Sequence, residues 1–323
     1  MKVVVLIPCL NEEATLPLVL QSIPKKISGV SQLDVVVVDD GSTDKTVEVA
    51  RAHGVKHFVR HANRQGLARS FHDGVQYALE HGADAVVSTD GDNQYPQERI
   101  PDLIKPIQEG RADIVIADRQ VHTIAHFSGG KKFFQRLGTK VVNMAAGTDI
   151  PDAPSGFRAY SREALLRLNI VTRFSYAMET IIQAGNKNLA VASVPVTTNP
   201  KTRESRLFRS NWEHALKSGV AIVRAFIMYR PYAVFMNMGA LLLVLGLVPF
   251  IRYLYFVTFD VKTGQHIQLL IAGSVLLVTS FIAFALGVIA DLIRINRVLN
   301  ETTLEHTKRL LVDRRHSDES KPA

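Results

Sequence analysis

Ala85-Val86-Val87-Ser88-Thr89-Asp90-Gly91-Asp92-Asn93-Gln94 is the stretch from which the rest of the chain can be read. A short apolar, β-branched run stops at two carboxylates one residue apart, on a turn that glycine permits. Such a pair can hold a hard divalent cation beside diphosphate oxygens. That cation would neutralise charge developing on a nucleoside diphosphate as its bond to a sugar breaks. Acidic turns after strands are common and usually only solvated, so the position of this one relative to the other strands carries the weight.

Working outward, Val3 to Ile7, Val35 to Val38, Lys56 to Arg60, Ala85 to Thr89, Ile114 to Ala117 and Leu189 to Val196 read as strands. Stretches of helical periodicity separate most of them, which predicts an α/β domain built on a mostly parallel, Rossmann-like sheet. Ligands in such sheets collect at the carboxyl ends of the strands. Two further polar clusters fall there: Ile7-Pro8-Cys9-Leu10-Asn11-Glu12-Glu13 and Val38-Asp39-Asp40-Gly41-Ser42-Thr43-Asp44. Asn11 and Ser42 suit helix capping as well as ligand contact. Three polar clusters at three strand ends converge on one side of the sheet.

The chain has 323 residues, 47% of them hydrophobic and 21% charged, so it can bury a large core and is not a disordered polymer. The net charge of +8 suits phosphates or anionic lipid without choosing between them. Its one cysteine, Cys9, excludes an internal disulfide and reads as a small buried side chain. The apolar N-terminal run is too short for a secretory signal and passes directly into a polar turn.

Two long apolar runs, about 233–257 and 267–290, each supply the roughly 20 residues that cross a bilayer. Joined by a short polar link around Asp260 to Gly264, they are hard to bury in a soluble domain of this size and read as a transmembrane hairpin. Before them, Trp212, Leu216, Val220, Val223 and Ile227 recur at helical spacing with Lys217 and Arg224 on other faces, as in an interfacial amphipathic helix. The expected divisions are a catalytic domain over 1–210, an interfacial helix over 211–230, a membrane hairpin over 231–292 and a polar tail over 293–323, helical and then disordered.

In order along the chain, the Pro8 to Glu13 and Val37 to Asp44 clusters, Asp90-Gly91-Asp92-Asn93-Gln94-Tyr95-Pro96 and Ser155-Gly156-Phe157-Arg158-Ala159-Tyr160 resemble the motifs of family 2 glycosyltransferases with the GT-A fold. Within that family they are most similar to the dolichyl-phosphate mannose synthase-like group. The resemblance covers roughly residues 1–210. It implies an inverting transferase in which Pro8, Asn11, Glu12, Asp39, Asp90 and Asp92 contact the donor, and Asp90, Asp92 and Gln94 surround Mg2+ or Mn2+ and the diphosphate. It places Ser155 and Arg158 on an acceptor-side loop, with Arg119, Arg136 and Lys140 as phosphate-binding cations; Arg158 would equally serve as a structural partner for a nearby acid. Asp92, Arg158, Arg136 and Lys140 are thereby the expected catalytic groups. Arg203-Glu204-Ser205-Arg206 matches the family's closing Arg-x-x-Gly-x-Ser-Lys segment only loosely, and Arg203 is its expected phosphate contact.

The implied partners are a GDP- or UDP-linked sugar, a dolichyl or undecaprenyl phosphate and the bilayer, with no nucleic acid and with a homo-oligomer left open. A phosphate monoester is mostly dianionic near neutral pH, its second pKa being about 6, so its oxygen attacks without a strong base. A hydroxyl acceptor, such as a lipid-linked glycan or diacylglycerol, would need one, and Asp152 is the nearest carboxylate to the acceptor loop. The Gln-x-x-Arg-Trp signature of processive synthases is missing. A nucleotidyltransferase would want a glycine-rich loop where Pro8-Cys9-Leu10-Asn11 stands. A catalytically dead sensor would have no use for Asp90, Asp92, Gln94 and Arg158 together. Basic residues on both flanks of the apolar runs place the catalytic domain and both termini in the cytoplasm.

Overall fold

The computed structural model describes residues 1–120, 129–170, 176–200, 230–259 and 267–319. It divides into two compact units, Met1–Ile222 with Thr302–Ala323, and Val223–Glu301.

The first unit is a seven-stranded sheet in the order β3-β2-β1-β4-β6-β5-β7. Its strands are β1 (Lys2–Cys9), β2 (Gln32–Asp39), β3 (His57–Arg60), β4 (Ala85–Ser88), β5 (Ile114–Asp118), β6 (Arg158–Ser161) and β7 (Val191–Pro195). Helices α1 (Leu16–Ser22), α2 (Thr46–Ala52), α3 (Leu67–Glu80), α4 (Ile100–Gln108), α5 (Gly129–Ala146), α6 (Arg162–Arg167) and α7 (Tyr176–Asn186) alternate with them. The valine run Val3, Val4 and Val5 is buried on both faces, as a central parallel strand requires. Helix α3 lays Ala68, Phe71, Val75 and Ala78 on the sheet, and a Cβ at Gly74 would collide with Leu6. Only glycine permits that close approach of helix to strand.

All six expected strands are present, and one more is not in the sequence reading. Arg158–Ser161, expected as loop, forms the antiparallel strand β6 between β4 and β5, with Ser88 opposite Arg158 and Ile116 opposite Arg158 on the other side. Four residues containing an arginine, a serine and an alanine carry no strand pattern of their own; the two neighbouring edges impose it. The insertion brings the chain just before β6 to the edge where the parallel strands end.

The second unit contains helix α8 (Pro231–Thr258) and most of the long helix α9 (Ile267–Glu319). Each contains a stretch long and apolar enough to cross a bilayer. The two helices pack antiparallel through small residues spaced seven apart: Gly239 and Gly246 on α8, and Gly273, Ser280 and Gly287 on α9. Ser280 Oγ donates to the Gly239 carbonyl at 2.8 Å, and a Cβ at Gly273 would stand 3.0 Å from the Gly246 carbonyl oxygen. Small residues that let backbones meet are the usual device of helix pairs in lipid, where apolar side chains gain nothing from mutual burial. Leu241, Ile251, Leu254, Val275 and Phe281 point outward from the pair and are exposed. That outer surface suits hydrocarbon, not water.

The expected polar tail is helical through Glu319, as the continuation of α9. Within the first unit its end is fastened to the sheet domain. Arg309 pairs with Glu163 on α6 through Nη1 at 2.9 Å and Nη2 at 2.5 Å. Lys308 Nζ donates to the Leu168 carbonyl at 2.9 Å and to Asn169 Oδ1 at 2.7 Å, and Val312 is buried. The expected interfacial helix, the polar link and Arg203 lie outside the described residues.

Candidate active site

Strands β2, β1 and β4 are neighbours, so the loops that follow them stand side by side on one edge. The first two are laced together. Asn11, in the left-handed region at φ 57, accepts from the Thr43 amide through Oδ1 at 2.8 Å, and its own amide donates to Ser42 Oγ at 3.0 Å. The Glu12 amide donates to Thr46 Oγ1 at 2.8 Å, and Asp39 Oδ1 receives the Ser42 amide at 2.9 Å. Thr15 Oγ1 then bridges Glu12 Oε2, at 2.7 Å, and the Gly91 carbonyl, at 2.8 Å, tying the first loop to the acidic turn. Pro8 and Asp39 lie at the ends of β1 and β2 and are buried there.

The acidic turn closes on itself. Asp92 Oδ1 accepts from the Gln94 amide at 3.1 Å and Oδ2 from Gln94 Nε2 at 2.8 Å. Gln94 therefore steadies Asp92 with its amide nitrogen, a supporting role that the expected metal-ligand role did not include. Among the described residues there is no cluster of three acidic, histidine or cysteine side chains to cage an ion. Two carboxylates on one turn nevertheless fit a divalent metal whose remaining positions are filled by diphosphate oxygens and water, as Mg2+ prefers.

Register brings the next pieces. Because Arg158 pairs with Ser88, the preceding Ser155-Gly156-Phe157 lies beside the residues that follow Ser88. A Cβ at Gly156 would come within 3.2 Å of Asp90 Oδ2; glycine keeps this approach open. The Gly156 amide donates to the Tyr95 hydroxyl at 2.9 Å. Tyr95 is pushed up to about 12 by burial and by Asp90, against the opposing charge of Arg119. Cys9 and Tyr176 are also pushed up, mainly by burial and additionally by Asp90.

Arg119, just past β5, forms a two-point pair with Asp152: Nε to Oδ2 at 2.7 Å and Nη2 to Oδ1 at 2.9 Å. Burial pulls its pKa down, but Tyr95, Asp152 and Asp90 outweigh that and hold the guanidinium above its ordinary value. It is a fixed positive charge on the site edge. Arg136 and Lys140 are exposed on α5 and one turn apart, hence on one face. Ser155 Oγ is buried and has no hydrogen-bond partner among the described residues.

Arg158 departs from expectation. It is fully buried, and its guanidinium is consumed by the protein: Nε on the Ser155 carbonyl at 2.7 Å, Nη1 on the Ala177 carbonyl at 2.6 Å and Thr180 Oγ1 at 2.9 Å, and Nη2 on the Ala153 carbonyl at 2.5 Å. Four such bonds leave little of its five-donor fork for a ligand. The strand alternation that starts at β6 turns this side chain inward, so it shapes the Ser155 loop and does not reach an acceptor.

The sequence reading assigned no role to Tyr95 or Asn199. Asn199 follows β7 on the same edge, and the Asn-Pro dipeptide that marks its turn was the available signal.

A mostly parallel α/β sheet with an Asp-x-Asp turn at its strand ends and a glycine beside that turn is the arrangement of the GT-A fold. Residues 4–168 match Glycosyl transferase family 2, and the chain belongs to that family; it is a glycosyltransferase. It is 26% identical over 207 residues to an undecaprenyl-phosphate mannosyltransferase of Micrococcus luteus, covering 61% of this chain and 83% of that protein. It is 34% identical over 223 residues to a dolichol-phosphate mannosyltransferase of Pyrococcus furiosus, covering 64% of this chain and 59% of that one. Against a low-salt glycan biosynthesis hexosyltransferase of Haloferax volcanii it is 29% identical over 65% of this chain, spanning 51% of that protein. The glucosyl-3-phosphoglycerate synthase of Mycobacterium tuberculosis, solved with Mn2+, UDP and its product, shares the fold at a TM-score of 0.54, with 22% identity over 70% of this chain and 78% of that one.

Proposed function

We propose that this protein transfers a sugar, with inversion, from a GDP- or UDP-linked donor to a polyprenyl phosphate at the cytoplasmic face of a membrane. The observation that carries the reading is the approach of the Ser155-Gly156 loop to Asp90, which sets that loop, with the buried Ser155 Oγ that has no hydrogen-bond partner among the described residues, beside the acidic turn. The mannosyltransferase relatives that act on undecaprenyl and dolichol phosphate support the acceptor class, and the hairpin supports a lipid acceptor held in the same plane.

In this reading Pro8, Asn11, Glu12 and Asp39 border the nucleoside. Asp90 and Asp92 would hold Mg2+ or Mn2+, which when bound supplies positive charge to the departing diphosphate. Gln94 keeps Asp92 oriented, and Thr15 fixes the turn to the first loop. Arg119, Arg136 and Lys140 supply the cations for acceptor phosphate, Ser155 one hydroxyl, and Arg158 the rigidity of the loop that carries Ser155. The acceptor dianion is its own nucleophile. Arg203 is a further proposed phosphate contact.

The competing acceptor is a hydroxyl, which needs a carboxylate base. Asp152, the residue first in line, has both oxygens engaged by Arg119, which favours the phosphate. The purified protein given a panel of nucleotide sugars with undecaprenyl or dolichyl phosphate should yield a sugar-phosphoryl lipid by mass spectrometry. Formation of product from a hydroxyl lipid alone would replace this reading.

A further inference from the structure

The geometry points to Asn199 as a positioning residue that holds the metal-binding turn in shape from the loop after β7, an outermost strand of the sheet. Its main-chain amide donates to the Gln94 carbonyl at 3.0 Å, and its side-chain Nδ2 donates to the Asn93 carbonyl at 3.0 Å and the Tyr95 carbonyl at 3.3 Å. Three consecutive carbonyls are thus fixed by one residue more than a hundred positions away in sequence, 106 from Asn93.

The turn needs such a restraint. Asn93 sits at φ 58, in the left-handed region, which asparagine adopts at a smaller cost than other side chains and which hydrogen bonds to the neighbouring carbonyls help to hold. With the peptides at 93–95 anchored, the Gln94 amide is aimed at Asp92 Oδ1 and the Gln94 side chain at Oδ2. Released, the turn can relax, and Asp92 would lose its orientation toward the cation it is to share with a diphosphate. Among the described residues Asn199 bonds to carbonyls of this turn, so it acts through Gln94 and Asp92. A small displacement of a ligand-bearing turn is enough to weaken a metal site.

This inference rests on the proposed metal–diphosphate reading, and the test separates the two. Mn2+ is titrated calorimetrically into detergent-solubilised full-length protein saturated with GDP or UDP, whichever binds. Wild type should bind Mn2+; Asn199→Ala, which keeps the main-chain bond and loses the two side-chain bonds, should bind it roughly tenfold more weakly. Nucleotide affinity without metal and the melting temperature should both stay near wild type. Asn199→Ser, with one donor left, should fall between, and it serves as the test variant if the alanine variant does not fold. Equal Mn2+ affinity in wild type and the folded variants overturns the role of Asn199 alone. Wild type that binds no Mn2+ overturns the metal reading and this inference with it.

Discussion

Arg119 and Asp152 meet in a two-point ion pair, Nε to Oδ2 at 2.7 Å and Nη2 to Oδ1 at 2.9 Å, with the Asp152 side chain 2% exposed. Arg119 was expected to greet an acceptor phosphate, and Asp152 was the candidate base only for the alternative hydroxyl acceptor. Their pairing makes Asp152 a positioner of Arg119. Asp152→Ala should therefore leave a largely buried guanidinium without its partner, at a cost of about 3–5 kcal/mol in unfolding. Asp152→Asn should raise the acceptor KM while the acid limb of the pH–rate profile stays where it is. A profile that loses that limb would make Asp152 the base.

Arg158→Met should unfold the protein more readily by about 3 kcal/mol, because it leaves the Ala153 and Ser155 carbonyls unsatisfied in the interior, while the Ala177 carbonyl keeps the Thr180 hydroxyl at 3.1 Å. Denaturant midpoints measure it. A stable variant defective only in acceptor binding would return Arg158 to the phosphate.

Asp92→Asn should abolish most turnover with little effect on the melting temperature, and chelation should reproduce the loss. Gln94→Ala, which removes only the support of Asp92 Oδ2, should cost less activity than Asp92→Asn and should be partly restored by excess Mn2+. Insensitivity to both chelation and Asp92→Asn would exclude a metal.

Hydrogen bonds from Arg309 lower the Glu163 pKa from its ordinary 4.5, against burial, with the charges of Arg309 and Arg167 adding to them. The stabilisation is full above that ordinary value and is lost as pH falls through the lower folded value. The pair's contribution to the melting temperature should therefore be constant from pH 6 to 8 and fade in acid, so that Arg309→Ala lowers the melting temperature at neutral pH and flattens its acid-side slope. The Glu163 side chain is 48% exposed, so the whole effect is at most about 1 kcal/mol. A destabilisation of Arg309→Ala that persists unchanged at pH 3 would assign the contact to packing.

The positive residues Lys217, Arg224 and Arg230 before the hairpin and Arg294 and Arg297 after its second span predict cytoplasmic ends. Cys9 is buried and its thiol is pushed up by burial and by Glu12, Asp39 and Asp90, so it should not react with an impermeant thiol reagent. A cysteine at Thr263 should label from outside intact cells and one at Ser317 should not. The opposite pattern reverses the orientation.

Much of this was legible because periodicity and strand-end position are local properties. The valine runs, the Asp90-Gly91-Asp92 turn and the two apolar helices announce themselves within a few residues each. Strand β6 was hidden because its pairing is imposed by β4 and β5, not by Arg158-Ala159-Tyr160-Ser161 itself. For the same reason Arg158 read as an acceptor-loop phosphate contact or the partner of a nearby acid: nothing in the sequence indicates that four acceptors from two segments, 153–155 and 177–180, would surround it. The seam of Gly239, Gly246, Gly273, Ser280 and Gly287, small residues at seven-residue spacing, was readable but masked by the apolar residues around it. Asn199 and Tyr95 gain their roles only when β7 and β4 are brought to one edge.

The central claim is that the acceptor attacks through phosphate. The most direct measurement offers purified protein its nucleotide sugar and divalent metal with polyprenyl phosphate in one reaction and the matching polyprenol, lacking only the phosphate, in another, and weighs the lipid products by mass spectrometry. The account predicts a sugar-phosphoryl lipid from the first and no glycosylated lipid from the second. Comparable glycosylation of the polyprenol would contradict it.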